Sequence, residues 1–430
     1  MNWESLYSSK MTTVEGALAH IKSGDRIYIG GGAGVPESLT STLPGQSDRL
    51  RDVEITHILT FADAPYVAPE YADAFRVNAL FIGANVRGAV QKGYADFTPV
   101  HLSQIPSLFH KTLPLDVALI SVSPPDEHGF CCFGVEVGTT KPAAESARLI
   151  IAEVNRQMPR TMGNSFIHVS RLNHIVEVDR PLPEAPQGGT TPEHKRIGEI
   201  VAEMIPDGAT LQTGIGSIPD AVLQNLGSHR DLGVHTELFS DGVIDLVESG
   251  VITCARKSFH PGKIVAGFLF GTQRLYDFVH QNPLIEMHPT GYVNDPFNIA
   301  RNNQMVAINS AVQVDLTGQV SADSIGPRLY SGAGGQVDFV RGAARAEGGL
   351  PIIALQSTAR RGSISRIVPM LNQGAGVVTT RYDVHYVVTE YGVASLHGRC
   401  VRERARELIR VAHPQFREEL ECEARQLGYI

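Results

Sequence analysis

Cysteine is scarce in this chain of 430 residues: five occur, at Cys131, Cys132, Cys254, Cys400 and Cys422, and no Cys-x-x-Cys pair is among them. An odd, scattered set of thiols suggests neither a disulfide framework nor a zinc knuckle, and fits free thiols in a reducing compartment. No apolar run approaches the roughly 20 residues needed to span a bilayer. The opening stretch, MNWESLYSSKMTTVEGALAHIKSGD, lacks the apolar core of a signal peptide. A cytoplasmic protein without a membrane partner is therefore expected. Basic residues are in deficit, 37 Lys and Arg against 45 Asp and Glu, for a net charge of −8. That balance argues against a nucleic-acid partner, although a few local Arg side chains and backbone amides suffice for an anionic small molecule. Common catalytic signatures are missing too: no H-E-x-x-H, no G-x-S-x-G and no phosphate loop ending in Gly-Lys-Ser/Thr. The sixteen histidines show no metal-ligand spacing, so no metal is expected. His128 and His397 stand singly beside turns and read as structural or capping residues.

What the chain does have is glycine, 42 residues of it, often placed after short β-branched runs. Such placement predicts tight strand-to-helix turns, where only glycine takes a positive φ without steric cost. Thr12 with Glu15 gives a capping-box pattern before a helix to about Lys22. Strands are predicted at Arg26–Ile29, Ala79–Ile82, Val117–Val122, Leu149–Val154 and His174–Val178, with Pro36 opening a helix after the first. Alternation of this kind predicts an α/β fold with mostly parallel sheets. The length exceeds what one hydrophobic core serves. The Pro- and Gly-rich stretch Asp179–Lys195 reads as a linker or surface crossing, which divides the chain into domains 1–184 and 185–430. Across that break runs an echo: Ser23–Leu39 (SGDRIYIGGGAGVPESL) resembles Asp207–Leu223 (DGATLQTGIGSIPDAVL). Both read as acidic/Gly turn, strand, glycine cluster, then a proline leading into a helix, as a duplicated unit would. Two related open α/β domains are expected, with the active-site cleft between them.

The glycine clusters do not make a dinucleotide fingerprint, because Val35 and Pro219 stand where the third glycine of G-x-G-x-x-G belongs. A nicotinamide enzyme is disfavoured. The turn Gly214–Ile215–Gly216 still presents backbone N–H groups at a helix start, suited to a phosphate or a developing oxyanion. A second turn, at Gly334 and Gly335, permits close backbone approach and brings Gln336 and Asp338 with it. Glu237 falls near the carboxyl end of a strand predicted at Leu232–Glu237, one βαβ step after the Gly214 turn. A carboxylate beside such amides is a candidate nucleophile or base; on those residues alone, a cap or a structural ion pair remains open.

Six stretches together resemble the acetyl-CoA hydrolase/transferase family, in particular its 4-hydroxybutyrate and butyrate CoA-transferase branch. They are Val122–Gly134, Leu211–Val222, His235–Val243 (HTELFSDGV), Gly291–Val320, Gly332–Ala343 (GAGGQVDFVRGA) and Val387–Arg399. They extend over nearly the whole chain, and HTELFSDGV with GGQVDFVRGA are the specific ones. The resemblance implies that Glu237 is the residue that becomes a glutamyl-CoA thioester. It implies that Gly214, Ile215, Gly216, Ser217 and Ile218, with Gly334 and Gly335, hold coenzyme A and supply oxyanion amides. Gln212 matches a polar residue near the acyl group, and Thr358 and Arg381 match positions toward the phosphate-bearing part of CoA. The implied substrates are an acyl-CoA and a short-chain carboxylate, and the implied assembly is a homodimer. Acyl-CoA hydrolysis and a non-catalytic CoA-ester sensor are the alternatives. The first half has no counterpart of HTELFSDGV, which places the nucleophile in the second half only.

Overall fold

Each half of the sequence builds its sheet outward from the strand that precedes its glycine cluster. The computed structural model describes residues 2–186 and 188–430. They form two units, one from Met1–Ala185 with Val265–Val293, the other from Pro186–Ile264 with Asn294–Ile430.

In the first unit the strands lie in the spatial order Asp96–Phe97, Phe75–Ala79, Val53–His57, Arg26–Ile29, Val117–Val122, Leu149–Asn155 and His174–Val178. All neighbours are parallel. Val117–Val122 is buried at every position, which is why it reads as an unbroken apolar run, as strands covered on both faces do. The strand predicted at Ala79–Ile82 is instead Phe75–Ala79, while Leu80 and Ile82 are buried beyond its end. Alternating exposure of Arg76 between buried Phe75 and Val77 carried the true strand signal. The first capping site also moves by one residue. Thr13 accepts from the Gly16 amide, and the helix is Val14–Leu18, stopping short of Lys22. Backbone hydrogen bonds tie Val265–Val293 into this unit: Leu269 N–H to Val135 O at 2.8 Å and Met287 N–H to Met162 O at 2.9 Å.

A buried ion pair pins the helix Glu37–Thr42 to this sheet. Glu153, fully buried, receives Arg180 Nη2 at 2.8 Å and the Ser38 amide at 2.9 Å. Arg180 also reaches Glu37 at 2.8 Å and the Val35 carbonyl at 2.7 Å.

In the second unit, six strands of an eight-stranded sheet lie in the order Gly233–Phe239, Thr210–Gln212, Met305–Ser310, Leu350–Ala354, Tyr386–Thr389 and Gly392–Ser395. All pairs are parallel except the last. The two echoed segments take equivalent places. Arg26–Ile29 lies between the strand that follows it and a later one, and so does Thr210–Gln212. Each is entered by a left-handed glycine, Gly24 at φ 80° and Gly208 at φ 81°. Each of these glycines donates its amide to the carbonyl just before the neighbouring strand, Arg51 O at 3.0 Å and Arg230 O at 2.9 Å. A side chain at either position would force the unfavourable αL region. The Pro/Gly-rich stretch carries the chain from one unit to the other, and its last residues already belong to the helix Pro192–Met204. Among the described residues no helix is long and apolar enough to cross a membrane.

Candidate active site

The strand predicted around Glu237 is Gly233–Phe239, and Glu237 is its one partly exposed residue. Pairing of Leu211 with Val234 sets the register to the adjacent strand. Glu237 therefore comes level with Gly214, a placement held by Thr236 Oγ1, which donates to Thr213 O at 2.8 Å. Beyond Gly214 the chain turns through Gly216, at φ 120°, into the helix Ser217–Gln224. Ile215 at the tip of this turn is exposed, and Ile218 is buried against the unit. Ser217 Oγ donates to Gly189 O at 3.3 Å.

The second predicted turn meets the carboxylate directly. Gly335 caps the helix Gln336–Arg345, and its amide donates to the Glu237 carboxylate. A Cβ added at Gly335 would run into Glu237 Oε2 and into the amide of Asn294. Only glycine leaves room for that contact. Gly334 before it is left-handed, at φ 55°. Asn294, fully buried, donates from Nδ2 to Glu237 Oε2 at 3.0 Å. The carboxylate thus sits at the start of a ten-residue helix, where unpaired N–H groups favour negative charge.

Burial nevertheless dominates its protonation and pushes the Glu237 carboxyl up to about 7. The Asn294 amide opposes that rise, the Asp338 carboxylate reinforces it, and the Gly335 N–H opposes it more weakly. A carboxylate so raised is more basic than an ordinary glutamate, hence a better nucleophile once ionised, and remains substantially ionised at neutral pH.

Gln212, at the carboxyl end of Thr210–Gln212, is buried; its Oε1 accepts from Asn309 Nδ2 at 3.1 Å. Thr358 lies on a small hairpin lining a cavity of about 460 Å³ together with Arg360, Arg361, Arg366, Glu390 and Tyr391. Arg381 offers its backbone carbonyl to Arg404 at 2.6 Å and is not among that cavity's lining residues. Asn294 was missed by the sequence reading. It stands in Gly291–Val320 among four other asparagines, with no local signal to set it apart; only its return to Glu237 across 57 positions marks it.

Two family models match this chain. The acetyl-CoA hydrolase/transferase N-terminal domain matches residues 1–184, and the C-terminal domain of the same family matches 271–424. A 4-hydroxybutyrate coenzyme A transferase of Clostridium kluyveri is 52% identical over 98% of each chain. The crystal structure of RipA from Yersinia pestis superposes with a TM-score of 0.96, at 37% identity and full coverage of both chains. That of a 4-hydroxybutyrate CoA-transferase from Porphyromonas gingivalis does so with a TM-score of 0.86, at 42% identity, covering 99% of this chain and 100% of that one. With its two halves matched in order and relatives aligned from end to end, the chain belongs to the acetyl-CoA hydrolase/transferase family.

Proposed function

We propose that the protein is a CoA-transferase that moves coenzyme A from a short-chain acyl-CoA to acetate or another short carboxylate, with Glu237 as the covalent nucleophile. The observation that carries this reading is the Glu237 carboxylate itself, raised to about 7 by burial and gripped by Asn294 and the Gly335 amide. A Glu237 oxygen attacks the thioester carbonyl; the C–S bond breaks, and CoA thiolate leaves a mixed anhydride. The thiolate then attacks Cδ of Glu237, releasing the first acid as its carboxylate and leaving a glutamyl-CoA thioester. An incoming carboxylate reverses both steps and departs as the new acyl-CoA. The thioester is carried through, so no other energy source enters.

The Gly335 and Asn294 N–H groups already address a Glu237 oxygen, which suits them to the oxyanion formed when Cδ is attacked. Such a donor is worth about 3–4 kcal/mol in the barrier. Amides of Gly214–Ile218 are assigned to CoA and to the other tetrahedral centre. Thr358, beside three arginines in its cavity, is assigned to the phosphate-bearing part of CoA; Arg381 keeps that assignment from the family resemblance alone. The acyl group is read as 4-hydroxybutyryl, butyryl or similar, in keeping with the names of the relatives. A cytoplasmic homodimer belongs to the same reading.

Mixing the protein with butyryl-CoA, quenching, and measuring intact mass tests it. A CoA-sized adduct on Glu237 that an acetate chase converts to acetyl-CoA is the expected result. An adduct that decays equally in buffer with release of free CoA would make the protein a hydrolase. Binding without any adduct would remove Glu237 from its role.

A further inference from the structure

The strands flanking Glu237 carry a second polar group on the same face. Gln212 is paired with Ala307, and Leu211 with Val234. Paired residues of parallel strands point the same way, and direction repeats every second residue. Glu237, Gln212 and Asn309 therefore project from three adjacent strands to one side, at their carboxyl ends. Strand spacing puts the Glu237 and Gln212 Cα atoms about 8 Å apart, within the length of a short acyl chain.

The orientation of both amides is fixed by one backbone group. Ile308 O can only accept, and Gln212 Nε2 faces it at 3.5 Å. Gln212 must then turn Oε1 toward Asn309, and Asn309 must answer with Nδ2, at 3.1 Å. Flipping either amide would set two donors or two acceptors against each other. The contact to Ile308 O is long, so an Nε2 proton of Gln212 is left for a ligand. Asn309, partly exposed at the end of its strand, has no partner for Oδ1 among the described residues. The pair thus offers one donor and one acceptor side by side. That combination fits a hydroxyl, which both donates and accepts. It fits a second carboxylate, which only accepts, or a plain alkyl end less well.

We infer that the Gln212–Asn309 pair reads a hydroxyl on the acyl chain, with Asn309 acting as the positioning residue that holds the Gln212 amide in its donating orientation. This inference rests on the transferase reading above and selects, among the acyl groups named there, the hydroxylated one.

The test compares kcat/KM for 4-hydroxybutyryl-CoA and butyryl-CoA, with acetate as acceptor, in the full-length protein. Wild type should favour the hydroxylated substrate. Asn309→Ala and Gln212→Ala should each reduce that preference about tenfold, the worth of a single well-placed hydrogen bond. The double variant should lose no more than either single, because the two act as a unit. Asn309→Asp keeps the size but presents an acceptor to Gln212 Oε1, and should lose the preference as fully as Asn309→Ala. A merely structural role would lower both substrates by one factor and leave the ratio untouched. An unchanged ratio in the variants, independent losses in the double variant, or no preference in wild type would each overturn the inference while the Glu237 adduct still formed. Absence of the adduct in wild type would overturn the transferase reading along with it.

Discussion

Asn294 spends its one side-chain hydrogen bond on Glu237, Nδ2 to Oε2 at 3.0 Å, and its own Oδ1, buried, has no partner among the described residues. A buried amide half satisfied in this way costs free energy, so its place beside the proposed nucleophile points to work done during the reaction. Asn294→Ala is expected to lower kcat by about a hundredfold or more, the usual loss for one oxyanion donor. Single-turnover formation of the adduct with butyryl-CoA measures it. A loss under threefold would dismiss Asn294 from the transition state.

The pH profile should expose the Glu237 carboxyl. It must be ionised to attack, so kcat/KM for the acyl-CoA should rise with pH and level off above about 7. The neighbours shift that limb in opposite directions. Asp338→Asn removes a like charge and moves it toward acid; Asn294→Ala removes a donor to the ionised form and moves it toward alkali. Limbs that move together would mean that another group titrates.

The same shift has a stability consequence of definite sign. Glu237 in the folded chain holds its proton to about pH 7, whereas in the unfolded chain it loses it near the ordinary ~4.3. The native state binds more protons in that window, so its stability falls as pH rises through it. Glu237→Gln, which cannot ionise, should melt higher than wild type, by a margin that grows from pH 5 to 7 and is constant above. Equal melting temperatures across that range would contradict the raised pKa.

Gly335 takes φ −94°, a conformation open to any residue, so Gly335→Ala should fold. Its methyl group meets the Glu237 carboxyl and the Asn294 amide instead. Expected are a near-native melting temperature and an activity loss of about 10²–10³-fold, through displacement of the proposed nucleophile Glu237 and its donor. Wild-type turnover would separate the close approach from catalysis.

Away from the site, Arg180→Ala should cost about 3–5 kcal/mol, because it strands the fully buried Glu153 without its cation. Denaturant unfolding is the measurement. A cost below 1 kcal/mol would mean that Ser38 and water suffice for that carboxylate.

How much of this could be read before folding follows from what local sequence encodes. Val117–Val122 and His174–Val178 were legible because burial and β-branching coincide within a few residues. The echo of Ser23–Leu39 in Asp207–Leu223 was legible for the same reason, a turn glycine, a strand and a helix in fixed succession. Glu237 emerged as a carboxylate at a strand end, and the family motif raised it above a cap. Asn294 did not emerge, because its meaning lies in a partner 57 residues away. Nor did Asn309, whose role depends on a register between strands. The Ala79–Ile82 error has a related cause, since a buried apolar loop and a buried strand look alike without knowing where hydrogen bonds fall.

The return of Val265–Val293 to the first unit bears on how this chain can be taken apart. The backbone passes from one unit to the other three times, after residues 185, 264 and 293, and the second passage falls inside the strand Ile264–Leu269. A gene cut at the proline-rich stretch would encode an N-terminal fragment that lacks Val265–Val293, a piece of its own unit. That fragment is not a module that can be swapped, so recombination between relatives at that apparent seam should yield misfolded chimeras unless Val265–Val293 is exchanged with it. Asn294, the first residue after the last passage, returns the chain to the unit that holds its partner Glu237.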